Sequence, residues 1–251
     1  MSLDESSSGV RAGQAGQRNR GWSRARWLVL SSVLLVSTAS GGATLEQTAI
    51  LALDQADARR ESRLAGYSVT EHYTLRGSRF ALSAEMTVET VYQRGQGKVY
   101  RVVSRSGSPA LQSRVFDRLL REEGEMSRGD ARLRTLVNSE NYLVRLAGEE
   151  MVAGEMCYVL DLTPRVKSTH LLKGRAWIEK KDGSLLQIEG RPTASPSFLT
   201  GRPAISRKYE RVDEFWLARS SHALSESFFS GTTELSIEYR DYRILDDIAG
   251  R

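Results

Sequence analysis

Alternation between apolar and polar residues, repeated over many short segments, is the feature that most constrains how this chain can fold. It is clearest in the first part of segment 82–92, where every second residue is apolar: Leu82, Ala84, Met86 and Val88. A period of two predicts a strand with one buried and one solvated face. Strands are also predicted from residue 67 and at 98–105, 141–149, 155–163, 171–180, 184–191, 205–212, 215–225 and 232–242. Tight connections such as 181–183 favour antiparallel pairing over parallel units with crossover helices.

Two regions have helical periodicity instead. Thr44 and Gln47 have the spacing of a capping box, in which a hydroxyl and an amide three residues later satisfy backbone N–H groups at a helix start. Apolar residues at helical spacing follow as far as Leu64, and Gly66 offers a C-terminal stop. Between 107 and 139, shorter apolar stripes predict one or two helices inserted between strands.

Ten or eleven antiparallel strands and an amphipathic helix need a common surface on which to bury their apolar faces. We therefore predict an α+β, mainly antiparallel fold: a strongly curved, unclosed β-barrel covered by helices on its concave side. Residues 44–243 would form this one domain, and 244–251 a C-terminal tail. The mouth between sheet and helices would be an apolar cavity suited to an acyl chain or an apolar peptide.

The first 43 residues have the order of a secretion signal. Five arginines precede the apolar run 27–39, and small residues follow it, so that cleavage could fall after Ala39 or after Ala43. An uncleaved N-terminal anchor is the alternative, although the apolar run is shorter than the roughly 20 residues of a spanning helix. In both cases the domain is expected to work outside the cytoplasm.

The leader also accounts for most of the net charge. Its five arginines oppose only Asp4 and Glu5, which leaves about +2 of the chain's total of +5 for the domain. A nucleic-acid partner is therefore not predicted, because it would require a basic surface on the folded domain itself. Cys157 is the single cysteine, so no internal disulfide can form, and a buried apolar role is expected for it.

Motifs for catalysis or cofactor binding are missing from the sequence. The three histidines, His72, His170 and His222, do not form a metal-binding motif, and neither a nucleophile elbow nor a phosphate-binding glycine loop occurs. Acidic clusters at 122–125 and 149–150 are typical of solvated turns as well as of glycosidases. We therefore predict that the chain is not an enzyme and uses no cofactor or metal.

Several segments of the C-terminal half resemble a known family. They are 141–150 (NYLVRLAGEE), 154–164 (GEMCYVLDLTP), 174–179 (GRAWIE), 185–192 (LLQIEGRP), 209–217 (YERVDEFWL) and 235–242 (LSIEYRDY). Together they resemble bacterial outer-membrane lipoprotein-sorting proteins of the LolA/LolB-like superfamily. The helix-then-strands start at 45–105 is in keeping with it, whereas the insert at 107–139 departs from the compact carriers.

The resemblance implies an unclosed β-barrel that holds the acyl chains of lipoproteins in the periplasm of a diderm bacterium, with membrane transport proteins as further partners. Eight residues are predicted to line the acyl-chain cavity, four on the strand at 82–92 and four near the mouth: Leu82, Ala84, Met86, Val88, Trp177, Phe198, Leu199 and Trp216. The hypothesis is a lipid or lipoprotein carrier or chaperone. The alternative is an envelope sensor or regulatory interaction module with the same fold.

Overall fold

A computed structural model describes residues 43–78, 83–196, 202–227 and 231–246. They belong to a single compact unit that extends from Gly42. The predicted leader lies outside the described residues, so its cleavage stays a prediction, as do the predicted domain boundaries. Among the helices that are described, none is both long enough and apolar enough to cross a membrane.

The elements follow the order helix, three strands, helical insert and seven strands. The helices are α1 (Leu45–Arg63), α2 (Pro109–Leu111), α3 (Asp117–Met126) and α4 (Gly129–Leu133), with a π-helical turn at Gln112–Phe116 between α2 and α3. The strands are β1 (Gly66–Gly77), β2 (Ser83–Gln93), β3 (Gly97–Gly107), β4 (Tyr142–Val152), β5 (Glu155–Pro164), β6 (Leu172–Glu179), β7 (Leu185–Pro192), β8 (Ala204–Val212), β9 (Phe215–Ser227) and β10 (Gly231–Leu245).

All ten described strands form one antiparallel sheet. Its order is β3-β2-β1-β10-β9-β8-β7-β6-β5-β4, so β3 and β4 are its two edges and the barrel is not closed. Five of the nine described pairings contain a register shift, and such bulges bend a strand and increase its twist. The predicted fold class, an unclosed antiparallel barrel with helices on one side, is confirmed.

Helix α1 begins as the sequence predicts. The Thr44 side chain accepts a hydrogen bond from the Gln47 backbone N–H, and the Gln47 side chain accepts one from the Thr44 backbone N–H. Its end differs from the prediction, because Leu64 is the C-cap and Gly66 is already the first residue of β1. Glycine is needed at position 66 for packing in the sheet and not as the helix stop. A Cβ on any larger residue there would lie 2.5 Å from the Tyr92 carbonyl oxygen on β2.

The core lies between the helices and one face of the sheet. Ala49 and Leu53 of α1 are buried against β4–β7, whereas the helical insert packs Phe116 and Leu119 against β1, β2 and β10. Two helical layers thus cover different parts of the same sheet face, and a space remains between them.

Candidate ligand cavity

The space between the two helical layers is a cavity of about 450 Å³. Helix α1 forms one wall with residues from Leu53 to Arg63, and the insert contributes Glu123 and Arg132. Strands β8 to β10 form the floor with Arg207, Tyr209, Leu217, Tyr239 and Tyr242, among others. Its volume lies within the range of about 300–1,000 Å³ that is usual for small-molecule sites.

Charged side chains line this cavity, which the sequence predicts to be apolar. Seven basic residues and four acidic residues belong to the lining, so its formal charge is positive. The basic residues are Arg59, Arg60, Arg63, Lys98, Arg132, Arg207 and Arg211, and the acidic ones are Asp57, Glu123, Asp182 and Glu214. A partly enclosed surface with an excess of one charge attracts ligands of the opposite charge.

Several of the basic groups already have partners. Arg132 forms an ion pair with Glu61, Arg63 one with Glu214, and Lys98 one with Glu123, whose Oε2 lies 3.1 Å from the Lys98 Nζ. The guanidinium of Arg132 also lies 5.0 Å from the centre of the Tyr92 ring, a cation–π distance. These contacts fix the insert and α1 to the sheet at the cavity wall.

A buried group of ionisable side chains lies behind Lys98. Glu71 of β1 is fully buried, with its Oε1 3.8 Å from the Lys98 Nζ, and it accepts a hydrogen bond from the Tyr73 hydroxyl. The Tyr100 hydroxyl lies 3.4 Å from the Glu123 Oε2. Strands β1 and β3 and helix α3 thus bring one ammonium group between two carboxyl groups.

The two carboxyl groups respond to this arrangement in opposite directions. Burial raises the pKa of Glu71, and the nearby Lys98 offsets this only in part. For Glu123, burial also acts to raise the pKa, but the charges of Lys98 and Arg207 outweigh it and the pKa is lowered. Lys98 and Glu123 therefore form an ion pair beside a carboxyl group whose pKa is shifted in the opposite direction.

A second cavity of about 290 Å³ adjoins the first and has an apolar floor. The two share part of their lining, including Lys98, Glu123, Arg132, Arg207 and Tyr209. The apolar residues of the second cavity include Leu119, Leu172, Ile188, Ile205, Leu235 and Ile237. Joined in this way, the two cavities offer an apolar end, a charged middle and a wider polar end.

Arg207 of β8 lies at the junction, because it lines both cavities. Its Nε is buried and has no hydrogen-bond partner in the described part of the chain. Tyr239, Tyr209 and Glu123 are its nearest ionisable neighbours, and of these three only Glu123 carries a charge near neutral pH. A guanidinium keeps its charge under all ordinary conditions, so Arg207 brings a permanent cation to the place where the apolar cavity begins.

The predicted lining residues do not form one cavity wall, although Trp216 packs against the cluster that contains Trp177. Ala84, Met86 and Val88 lie on the buried face of β2, as their alternation indicates, but within the core beneath the insert, and they line neither cavity described above. Trp216 lines the first cavity. Leu82, Phe198 and Leu199 lie outside the described residues. Their contact with an acyl chain stays a prediction.

Trp177 lies on the other face of the sheet. It is in a cluster with Cys157, Val159 and Leu186, and its Nε1 donates a hydrogen bond to Glu150 over 2.8 Å. Its neighbours Ala176 and Ile178 belong to the core under α1, and successive side chains of a strand point to opposite faces. The alternation in 172–179 therefore indicates that Trp177 lies on the face of the sheet that the helices do not cover.

Sequence reasoning did not assign Glu71, Lys98, Glu123 or Arg207 to a cavity, although Glu123 belongs to the acidic cluster at 122–125. For Glu71 a signal existed, since it stands in phase with the buried residues Val69, Tyr73 and Leu75 of the same strand. A charged residue at an inward position of a strand needs a partner or a ligand. No comparable pattern marks Glu123, which follows another glutamate in a polar stretch of α3.

Several solved structures are similar to this chain at low sequence identity. Neither a protein-family model nor a curated protein sequence matches it. Among solved structures, a LolA superfamily protein from Nitrosomonas europaea is 11% identical, with 81% of this chain and 95% of that chain covered, and the TM-score is 0.43. A putative outer membrane lipoprotein-sorting protein domain from Vibrio parahaemolyticus is 13% identical over 76% of this chain and 90% of that one, with the same TM-score of 0.43.

A MucA/MucB complex from Pseudomonas aeruginosa also matches, at 13% identity over 79% of this chain and 98% of that chain, with a TM-score of 0.25. At identities and TM-scores this low, the matches describe a similarity of fold and carry no argument about what this chain binds. Function has to be argued from the cavities themselves.

Proposed function

We propose that this domain is a periplasmic lipid or lipoprotein carrier that holds an acyl chain between its helices and the concave face of its sheet. The observation that carries the proposal is the second cavity, with its floor of leucine and isoleucine side chains beneath the insert. Apolar surface that stays accessible inside a folded domain favours an apolar ligand, because burial of each methylene contributes about 0.8 kcal/mol.

Two residues of the connection between β7 and β8 are consistent with the proposal, since Pro196 and Pro203 belong to the lining of this cavity. The predicted contact residues Phe198 and Leu199 lie between them in the sequence. Long connections often carry the residues that bind a ligand. The partners that follow from this function are acylated lipoproteins or lipids, together with membrane proteins that deliver or accept them.

Two measurements test the carrier function. The full chain, expressed in a diderm host, is purified without detergent and extracted with organic solvent, and we expect mass spectrometry to identify a bound acyl lipid. Titration with a fluorescent fatty-acid analogue should then show saturable binding. A chain that carries no lipid and binds no acyl probe would contradict the proposal.

A pair of variants tests where the acyl chain binds. Ile205→Glu introduces a charge into the lining of the second cavity, whereas Leu143→Glu makes the same change on β4, where the side chain is 53% exposed. We expect the first variant to lose most of its affinity for the probe and the second to keep it. Equal affinities in two folded variants would place the acyl chain elsewhere.

The alternative, an envelope sensor or interaction module, has one observation in its favour. Strand β3 is an edge of the sheet and exposes Val99 and Val103, which are 64% and 52% accessible. An unpaired edge with apolar side chains can add a strand from a partner protein. Cross-linking from position 101 in membranes would distinguish the two functions, since capture of a single membrane regulator without bound lipid supports the alternative.

A further inference from the structure

We infer that the ligand carries an anionic head group, a carboxylate or a phosphate, and that Arg207 binds it at the junction of the two cavities. The inference rests on the proposed acyl-binding function and names the chemical class of the ligand. It starts from the charge of the first cavity, whose lining has seven basic and four acidic residues.

The surplus positive charge can be assigned to particular residues. Arg63, Lys98 and Arg132 each have a carboxylate partner, and Arg59 donates to the backbone carbonyl of Asp182. Arg211 donates to the backbone carbonyl of Asp213. Arg60 and Arg207 remain: each has a buried Nε with no acceptor in the described ranges, but of the two only Arg207 lines both cavities. No carboxylate oxygen in those ranges lies within 4.0 Å of the Arg207 guanidinium, which is partly buried, and an anionic ligand would supply the missing contact.

The groups around Arg207 are compatible with an anion. Glu123 is the acidic side chain in both linings, but the Lys98 ammonium group neutralises it at 3.1 Å. Tyr209 is a side-chain hydrogen-bond partner of Arg207 and Tyr239 lies close to it, and the hydroxyl group of each can donate a hydrogen bond to a ligand oxygen. A guanidinium offers two parallel donors to carboxylate or phosphate oxygens, which is a strong and directional form of recognition.

Position explains why one ligand would use both cavities. Arg207 lines the polar and the apolar cavity, so a head group bound to it leaves an attached acyl chain next to Leu235, Ile188 and Ile205. The geometry therefore fits an anionic amphiphile, with its charge at β8 and its tail beneath the insert.

The test compares amphiphiles that differ in head-group charge. Palmitate is paired with hexadecanol, and palmitoyl lysophosphatidic acid with monopalmitoylglycerol, and dissociation constants for the full chain are measured at pH 8 by displacement of a fluorescent acyl probe. We expect the chain to prefer the anionic member of at least one pair by about tenfold or more, since a hydrogen bond to a charged group contributes roughly this factor. The pair that shows the larger preference identifies the head group as a carboxylate or a phosphate.

Variants of β8 assign the preference to one side chain. Arg207→Gln should lower the preference to near one while affinity for the neutral amphiphiles stays within about twofold, and Arg207→Lys should keep part of it. Lys208→Gln is the matched control, because it removes the same charge from the next residue, which is exposed. Circular dichroism checks that each variant is folded, and the preference of the unmodified chain provides a test that needs no variant.

The outcomes separate this inference from the proposed function. Equal affinity for charged and neutral amphiphiles in the unmodified chain overturns the anionic head group but leaves acyl binding intact. A preference that survives in folded Arg207→Gln overturns the role of Arg207. If none of the four amphiphiles binds, the carrier function fails and this inference with it.

Discussion

Removal of the Phe116 ring should destabilise the domain strongly, because this residue anchors the helical insert to the sheet. Phe116 is fully buried in the core cluster under β1, β2 and β10, and its ring meets the Tyr73 ring edge-to-face at 5.8 Å between centroids. Truncation of a buried phenylalanine to alanine costs about 3–5 kcal/mol, through lost burial and the cavity that remains. Loss of the aromatic pair accounts for about 0.5–1.5 kcal/mol of such a cost.

We expect Phe116→Ala to lower the free energy of unfolding by about 4 kcal/mol. For a domain of this size the melting temperature should fall by roughly 8–16 °C. Leu133→Ala is the control, since Leu133 belongs to the same insert but is 52% exposed, and it should change stability by less than about 0.5 kcal/mol. Urea denaturation followed by circular dichroism measures both.

The reasoning would be refuted if the free energies of unfolding of the two variants differed by less than about 1 kcal/mol. Truncation of a buried phenylalanine should cause a larger difference than that. Hydrogen exchange adds a local measurement. If the insert is docked through Phe116, the substitution Phe116→Ala should increase the exchange rates of α3 amides relative to the unmodified protein. The increase should be smaller for amides of β5, which packs under α1.

Three further predictions follow from single positions. Glu71→Gln should stabilise the domain more at pH 8 than at pH 4. Burial raises the pKa of the Glu71 carboxyl in the native state, so above pH 4.5 the group ionises first in the unfolded chain, and the unmodified protein loses stability until the pH passes the native pKa. Denaturation at pH 4 and pH 8 measures the difference between the two proteins, and a constant difference would contradict the prediction. Gly183→Ala should destabilise the domain more than Gly95→Ala. Both glycines have positive φ, but only a Cβ at position 183 would lie 2.1 Å from the Ala52 carbonyl oxygen. Equal melting temperatures of the two variants would disprove the contact. Cys157 should resist thiol reagents at pH 8 until the protein is unfolded. The side chain is fully buried, and burial raises the pKa of its thiol to about 11. Rapid labelling of the native protein would contradict this prediction.

The strands and α1 could be predicted because their determinants are local. Alternation in 82–92 predicts which residues of β2 are buried, and Ala84, Met86 and Val88 are. The capping box at Thr44 predicts the start of α1 to the residue. The insert is harder, because its helices are short and one turn is π-helical, so their boundaries depend on contacts with the sheet.

The composition of the cavity could not be predicted in this way. Apolar periodicity identifies the face of a strand that is buried, but it does not say whether another element will cover that face or leave it accessible. Met86 and Val88 are covered by the insert, whereas Ile205 lines a cavity, and the difference depends on where the insert packs. Burial and ligand access are therefore separate properties, and only the first is encoded in the alternation of a single strand.

The charged junction has a different origin. Lys98, Glu123 and Arg207 belong to β3, α3 and β8, which are far apart in the sequence and meet because a bulged, unclosed sheet curves around its helices. Each of these residues alone has the sequence appearance of an ordinary surface charge. Their meeting inside the cavity changes what the fold can hold, because a purely apolar groove accepts any acyl chain whereas a cation at the end of an apolar groove also selects the head group. Under the proposed function, selectivity for a head group would depend on long-range register, and the preference for an anionic over a neutral amphiphile is the measurement that reports it.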